Sequence, residues 1–272
     1  LRVTYIGYDF FSPVLLYLLT RPDVTIMRVV TEQTLGGHIC RIAQAAAVPL
    51  VLARVRQAEI EAFAADSDLV LCASYGYRLP IPAPSKCRFL NIHPSLLPLG
   101  RGPAPPHWTL TQFPESAGVS LHVMDDGFDT GPIVAQVPLA VDAGSSLEIY
   151  THQANQAAIG LLSGIRVEQL RALHAKPQDH ALASYQPEFS LAQRTISKLD
   201  TGAEIVRLVG ALGSLGAVVE IGGTRYAATH AAFLEGTPEY PAEAFVNDFY
   251  GYFPCADGIC LFPKSNLAAM PD

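Results

Sequence analysis

Asn91 and His93 stand two apart in NIHPSLLPLGRG, and Asp129 follows downstream in MDDGFDTG. Residues two apart on a strand share a face, so an amide and an imidazole can point into one cavity. A carboxylate in a glycine-flanked turn can be brought back over the same edge. Such a trio suits attack of a neutral amine on a formyl-type carbonyl without a covalent enzyme intermediate. Asn91 can donate its amide N–H to the developing oxyanion. His93 can donate a second hydrogen bond and move a proton toward the leaving nitrogen. Asp129 can stabilise the imidazolium and accept, directly or through water, the proton released by the attacking amine. Singly, each reads as a turn former, a cap or a hydrogen-bonded core residue. The functional reading comes from the three arriving with a ligand-shaping loop, SLLPLGRG at 95–102, whose proline and two glycines make a fixed wall rather than a helix. In that wall Arg101 reads either as a ligand for a substrate anion or as a salt-bridged loop arginine. Ser95, Arg101 and Gly102 are the expected substrate contacts.

The elements that must hold these residues alternate in type. Strand-like runs at 2–6, 24–31, 50–52, 68–72 and 88–92 are separated by helical patterns starting at Ser12 and covering 35–47 and 57–65. This alternation predicts crossover units on a parallel sheet. The fold class expected is α/β, a Rossmann-like, mostly parallel sheet with flanking helices, followed by a small α+β C-terminal subdomain. Ligands of open α/β sheets bind at the carboxyl edge, where Asn91 and His93 fall. Two further strands, 118–123 and 133–139, flank the acidic turn DDGFDTG, and a long helix is predicted over 147–173. The domains expected are 1–178, a linker at 179–200, and 201–272, possessing a helix near 203–212 and a hairpin around Gly222 and Gly223. Beyond residue 234 little periodicity is legible.

Composition narrows the partners. Half the residues are hydrophobic, so disorder is excluded as an overall description, and 18 Lys and Arg against 25 Asp and Glu give a net charge of -7. A broad phosphate-gripping face is therefore disfavoured and a small-molecule partner expected, with no nucleic acid. The segment IGYDFFSP carries one glycine where a dinucleotide fingerprint needs three. Five cysteines without framework spacing imply no disulfide scaffold and no metal, and place the chain in a reducing cytoplasm. No apolar run approaches the ~18 residues of a membrane span, and a homodimer is left open.

The segments NIHPSLLPLGRGPAP and MDDGFDTGPIV, in that order and at that separation, resemble the folate-dependent formyltransferases. This family includes enzymes that formylate methionyl-tRNA, glycinamide ribonucleotide or amino sugars. The resemblance covers residues 1–175, with echoes to about 230. It implies 10-formyltetrahydrofolate as donor, no metal, and Asn91, His93 and Asp129 as the catalytic trio. It implies a pterin site built from Tyr75, Tyr77, Arg78, Leu79 and the turn Asp125, Asp126, Gly127 and Phe128, with Leu79 and Leu97 packing the ring faces.

The pattern departs from the tRNA-formylating members in two places. The segment after the strand near residue 30 is short, and the tail EGTPEYPAEAFVNDFYGYF is acidic and aromatic. The expected acceptor is therefore a small-molecule amine or hydroxylamine, such as an amino sugar nucleotide or an amino acid, in a biosynthetic reaction. A methionyl-tRNA formyltransferase and a 10-formyltetrahydrofolate hydrolase are the alternatives, and a catalytically silent regulatory protein is disfavoured because the trio is intact.

Overall fold

Valine-, isoleucine- and leucine-rich runs form β1 (Arg2–Gly7), β2 (Thr25–Thr31), β3 (Leu50–Leu52), β4 (Leu69–Ala73) and β5 (Arg88–His93). In the computed structural model these strands pair in parallel. The first four are linked through α1 (Ser12–Thr20), α2 (Gly37–Ala45) and α3 (Gln57–Asp66). β6 (Gly118–Val123) then adds antiparallel to β5, and β7 (Ile133–Pro138) antiparallel to β6. The resulting order, β3-β2-β1-β4-β5-β6-β7, makes a mixed sheet whose strand order reverses between β1 and β4. The structure describes residues 1–82, 85–142, 144–165, 173–236 and 242–271.

These residues separate into two units. The first comprises Leu1–Pro105, Glu115–Ala140 and Thr151–Pro187, and the second Pro106–Pro114, Val141–Tyr150 and Glu188–Asp272. In the first, Ile6, Val30, Val70 and Phe89 meet Ile60 and Phe63 of α3 on one sheet face. Burial on both faces explains why the central strands read as continuous apolar runs rather than alternating ones. Gly7 has a packing reason: a Cβ there would lie 2.3 Å from the Ala73 carbonyl oxygen. The lone glycine of IGYDF therefore lets β1 end beside β4. Two residues on, the Asp9 carboxylate accepts the His38 and Ile39 backbone N–H groups at 2.9 Å and satisfies the first turn of α2.

α4 (Pro105–Thr111) follows the proline-rich loop, and α5 (Leu147–Ser163) is the helix expected over 147–173, of which 166–172 lie outside the described residues. The stretch 179–200 is divided between the units: residues to Pro187 pack in the first and those from Glu188 in the second.

The second unit is built on α6 (Gly202–Leu212). Its Ile205, Val209 and Leu212 pack against β8 (Ala217–Ile221), together with Phe253, Cys260 and Phe262. β8 pairs with β9 (Thr224–Ala228) as the expected hairpin. The tail beyond 234 is more ordered than its weak periodicity suggests. β10 (Ala232–Glu235), β11 (Phe245–Val246), β12 (Tyr250–Cys255) and β13 (Gly258–Pro263) form a four-stranded sheet, while β14 (Leu267–Ala269) joins β9. β12 and β13 are buried along most of their length, which erases alternation. The legible signal was Asp257-Gly258 between two apolar runs, a hairpin signature. Of the aromatic residues whose roles the sequence leaves open, Trp108 is buried with its ring 4.5 Å from Phe189, and Tyr252 is buried. Phe249 is 79% exposed, and Tyr240 lies outside the described residues.

α6 starts at a reciprocal cap, Thr201 Oγ1 accepting from Glu204 N at 3.3 Å and Glu204 Oε2 accepting from Thr201 N at 2.8 Å. Thr201→Ala removes one half of it. Its thermal midpoint is expected to fall by about 3 °C in a calorimetric scan, with no change at the site described next.

Candidate active site

Strand register sets the site. Cys72, Asn91 and His122 are lateral partners on β4, β5 and β6, and His93, Ser120 and Gln136 are partners on β5, β6 and β7. Lateral partners share a face, so two polar rows cross the carboxyl end of β5. The second row pins the loop. Ser120 Oγ donates to Ser95 O at 2.6 Å and accepts from Leu97 N at 3.0 Å, and Gln136 Nε2 donates to Leu97 O at 2.8 Å. The Leu97–Pro98 peptide bond is cis.

Asp129 closes over the first row from the β6–β7 turn, at a left-handed φ of 57°. Aspartate tolerates this region better than most side chains. The carboxylate is 8% exposed. Its Oδ2 accepts from Gly102 N at 3.0 Å, and its Oδ1 accepts from Asn91 Nδ2 at 3.2 Å. His93 Nδ1 and His122 Nε2 stand 3.6 and 3.7 Å from Oδ1. Backbone carbonyls select the ring tautomers: His93 Nε2–H donates to Gly100 O at 2.7 Å, and His122 Nδ1–H donates to Val123 O at 3.0 Å. His122 Nε2 is thereby left to accept the other Asn91 N–H, at 3.1 Å. Both Asn91 N–H groups are engaged, and its buried Oδ1 has no hydrogen-bond partner among the described residues.

The titration of this cluster follows from burial and neighbours. Burial alone would raise Asp129, but His93, His122 and the Gly102 N–H outweigh it and hold the carboxyl down at about 2. Burial also lowers the His93 imidazole below its ordinary value, against the pull of Asp129. The pair at rest is thus a carboxylate facing a largely neutral imidazole.

A cleft opens in front of this cluster, lined by Asn91, His122 and Asp129. Tyr75, Tyr77, Arg78, Leu79, Asp125, Gly127 and Phe128, all expected at a pterin, line the same cleft, joined by Cys72 and Met124. Its aromatic and aliphatic walls and the Asn91 Oδ1 fit the faces and hydrogen-bond donors of a flat heterocycle. Other expected contacts lie elsewhere. Asp126 is exposed, 3.9 Å from Arg78. Leu97 is buried beneath the loop, and Ser95 Oγ donates to Leu99 O at 2.7 Å. His93 stands behind Asp129. Arg101 turns inward to Gln178 Oε1 at 2.7 Å and His180 Nδ1 at 3.0 Å, and Gly102 serves Asp129 through its backbone. His122 was missed in the sequence. The signal is that Ser120 and His122 are the polar residues, two apart, of the otherwise apolar run GVSLHV; aligning that run beside β5 puts both on the face of Asn91.

A family model described as Formyl transferase matches residues 42–163. A methionyl-tRNA formyltransferase from Desulfotalea psychrophila is 32% identical over 229 residues, covering 77% of this chain and 69% of that protein. The chain belongs to the formyltransferase family. Among solved structures, HypX from Aquifex aeolicus superposes on this formyltransferase-family chain with a TM-score of 0.72 at 18% identity, over 99% of this chain. The chain spans 47% of HypX. An N-formyltransferase from Helicobacter canadensis, crystallised with folinic acid and dTDP-3-aminofucose, superposes with a TM-score of 0.66 at 14% identity, covering 98% of this chain and 99% of that one. These two likenesses establish a shared fold. Among the described residues of the formyltransferase-family chain, no helix is long and apolar enough to cross a membrane, and no His, Cys, Asp or Glu cluster is arranged for a metal.

Proposed function

We propose that this formyltransferase-family chain moves a formyl group from 10-formyltetrahydrofolate to the amine nitrogen of a small molecule. The observation that carries the reading is a buried Asp129 hydrogen-bonded to Asn91 in a cleft walled by aromatic and aliphatic side chains. Tyr75, Leu79, Met124 and Phe128 would hold the pterin, and the polar end of the cleft its formyl-bearing side. The folate supplies the formyl carbon on N10 and departs as tetrahydrofolate.

The residues act on the protons and on the charge. As the amine nitrogen bonds to the formyl carbon, it becomes acidic, and Asp129 takes its proton. A protonated carboxyl is a weaker acceptor, so the Asn91 N–H now shared with Oδ1 is freed to turn toward the oxyanion. His93 Nδ1, 3.6 Å from Asp129, exchanges the proton that finally goes to N10 as its bond to carbon breaks. His122 keeps Asn91 oriented throughout.

The net charge of -7 and the acidic tail favour a small acceptor over a polyanion. The relative from Desulfotalea psychrophila, a methionyl-tRNA formyltransferase, makes initiator tRNA the second reading. The deciding assay follows tetrahydrofolate release from 10-formyltetrahydrofolate alone, with dTDP-3-aminofucose, with amino acids and with methionyl-tRNA, products being weighed by mass spectrometry. A formyl adduct on a small amine, reduced about 10²-fold or more in Asn91→Ala, is expected. Formylated tRNA would shift the acceptor to the second reading. Formate released without an amine would make the chain a hydrolase, and absence of any turnover in folded protein would sink the proposal.

A further inference from the structure

Gln178 uses every hydrogen-bonding capacity of its amide, and it does so between two parts of the candidate site. It is 7% exposed. Its Nε2 donates to the backbone carbonyls of Asp129 at 2.9 Å and Gly131 at 2.7 Å. Its Oε1 accepts Arg101 Nε at 3.2 Å and Nη2 at 2.7 Å. Arg101 is the residue before Gly102, whose N–H meets Asp129 Oδ2. One side chain therefore grips the backbone of the residue that presents the carboxylate, and the side chain next to the residue that presents its N–H donor.

We infer that Gln178 is a positioning residue for formyl transfer, holding Asp129 in its left-handed turn and Gly102 against its carboxylate. This rests on the reading of Asp129 as the proton acceptor. The chemistry is selective for glutamine. Glutamate offers no N–H to the two carbonyls, lysine offers no acceptor to Arg101, and asparagine is one methylene too short to span both. A left-handed aspartate is strained, so the turn needs such a tie to persist. The groups facing Asp129 are His93 from β5, His122 from β6, Cys72 from β4 and Arg101 from the loop, the last being the cation that Gln178 holds in place.

The test compares full-length wild type with Gln178→Glu, which keeps shape and the hold on Arg101, and Gln178→Met, which keeps volume alone. The Gly102 amide resonance in a ¹⁵N–¹H spectrum reports the ionisation of Asp129 without any turnover. In wild type it is expected to stay fixed between about pH 7 and pH 4. In Gln178→Glu, with Arg101 neutralised and the carbonyl ties lost, its midpoint is expected to rise by about one unit or more. In the assay above, kcat should fall about 10²-fold in both variants, with KM for 10-formyltetrahydrofolate within about twofold of wild type. An unmoved Gly102 titration in folded Gln178→Glu overturns the inference. So does a kcat loss that merely follows a fallen melting midpoint. Should wild type transfer nothing, the functional reading falls, and the Gly102 titration alone decides whether Gln178 sets the carboxylate.

Discussion

Asp129→Asn is expected to lower formyl transfer by about 10³-fold while leaving folate binding within a few-fold of wild type. Asparagine tolerates the left-handed backbone that Asp129 adopts, so the turn survives the change. What is lost is a carboxylate in contact with both Asn91 and Gly102 that can take up a proton. The amide also reverses one contact. If its oxygen keeps the Gly102 N–H, its NH₂ confronts the Asn91 NH₂, and Asn91 must rotate and release His122. The same substitution has a thermodynamic signature. The folded-state pKa of Asp129 is depressed, so its ionised form stabilises the fold above the ordinary carboxyl range, and that contribution is lost as pH falls from about 4 toward 2. It is worth about 2 kcal/mol at neutral pH. Urea titrations at neutral and acid pH should show wild type losing this increment and the variant lacking it throughout. Transfer at the wild-type rate by Asp129→Asn would remove Asp129 from the chemistry.

Gly102→Ala is expected to cost about 3 kcal/mol of stability and at least ~10²-fold in turnover. The backbone there has φ of 112°, and an added Cβ would lie 2.6 Å from the Gln186 carbonyl oxygen. That oxygen belongs to a paired segment: Gln186 N donates to Arg101 O at 2.6 Å, and Arg101 N donates to Ser184 O at 2.9 Å. Relief must therefore come from the loop, which carries the Gly102 N–H away from Asp129. Gly222→Ala is the control, since Gly222 also has positive φ but meets nothing within 4 Å. It should lose about 1 kcal/mol and no turnover. Comparable losses in the two variants would mean that strain alone, and not the Asp129 contact, governs Gly102.

The parallel half of the sheet was legible because its strands and crossover helices differ sharply in period. Asn91 and His93 were legible because a spacing of two on a strand already implies a common face, and the shared cleft of Tyr75, Leu79, Asp125 and Phe128 followed from the motif resemblance. His122 and Gln178 were not. Each matters through a partner that the linear sequence does not place: His122 through the β5–β6 register, and Gln178 through a return of the chain to Asp129 and Arg101. Arg101 shows the converse. Its type leaves open an anion ligand or a salt-bridged loop arginine, and the structure places its guanidinium on a buried amide and an imidazole. The β8–β9 hairpin was legible, whereas β12 and β13 were obscured by burial along much of their length, which leaves composition without rhythm.

The segment that braces the loop also sets an order of events during synthesis. Asn91, His93 and Asp129 leave the ribosome well before Gln178, Ser184 and Gln186, and the family-model match ends earlier still, at residue 163. A nascent chain halted after β7 lacks Gln178, Ser184 and Gln186, so the carbonyls of Asp129 and Gly131 and the backbone of Arg101 are without these partners. If Asp129 is the proton acceptor, as proposed, competence for chemistry is the last property the first unit acquires, granted by a strap that makes its contacts to the backbone behind the carboxylate.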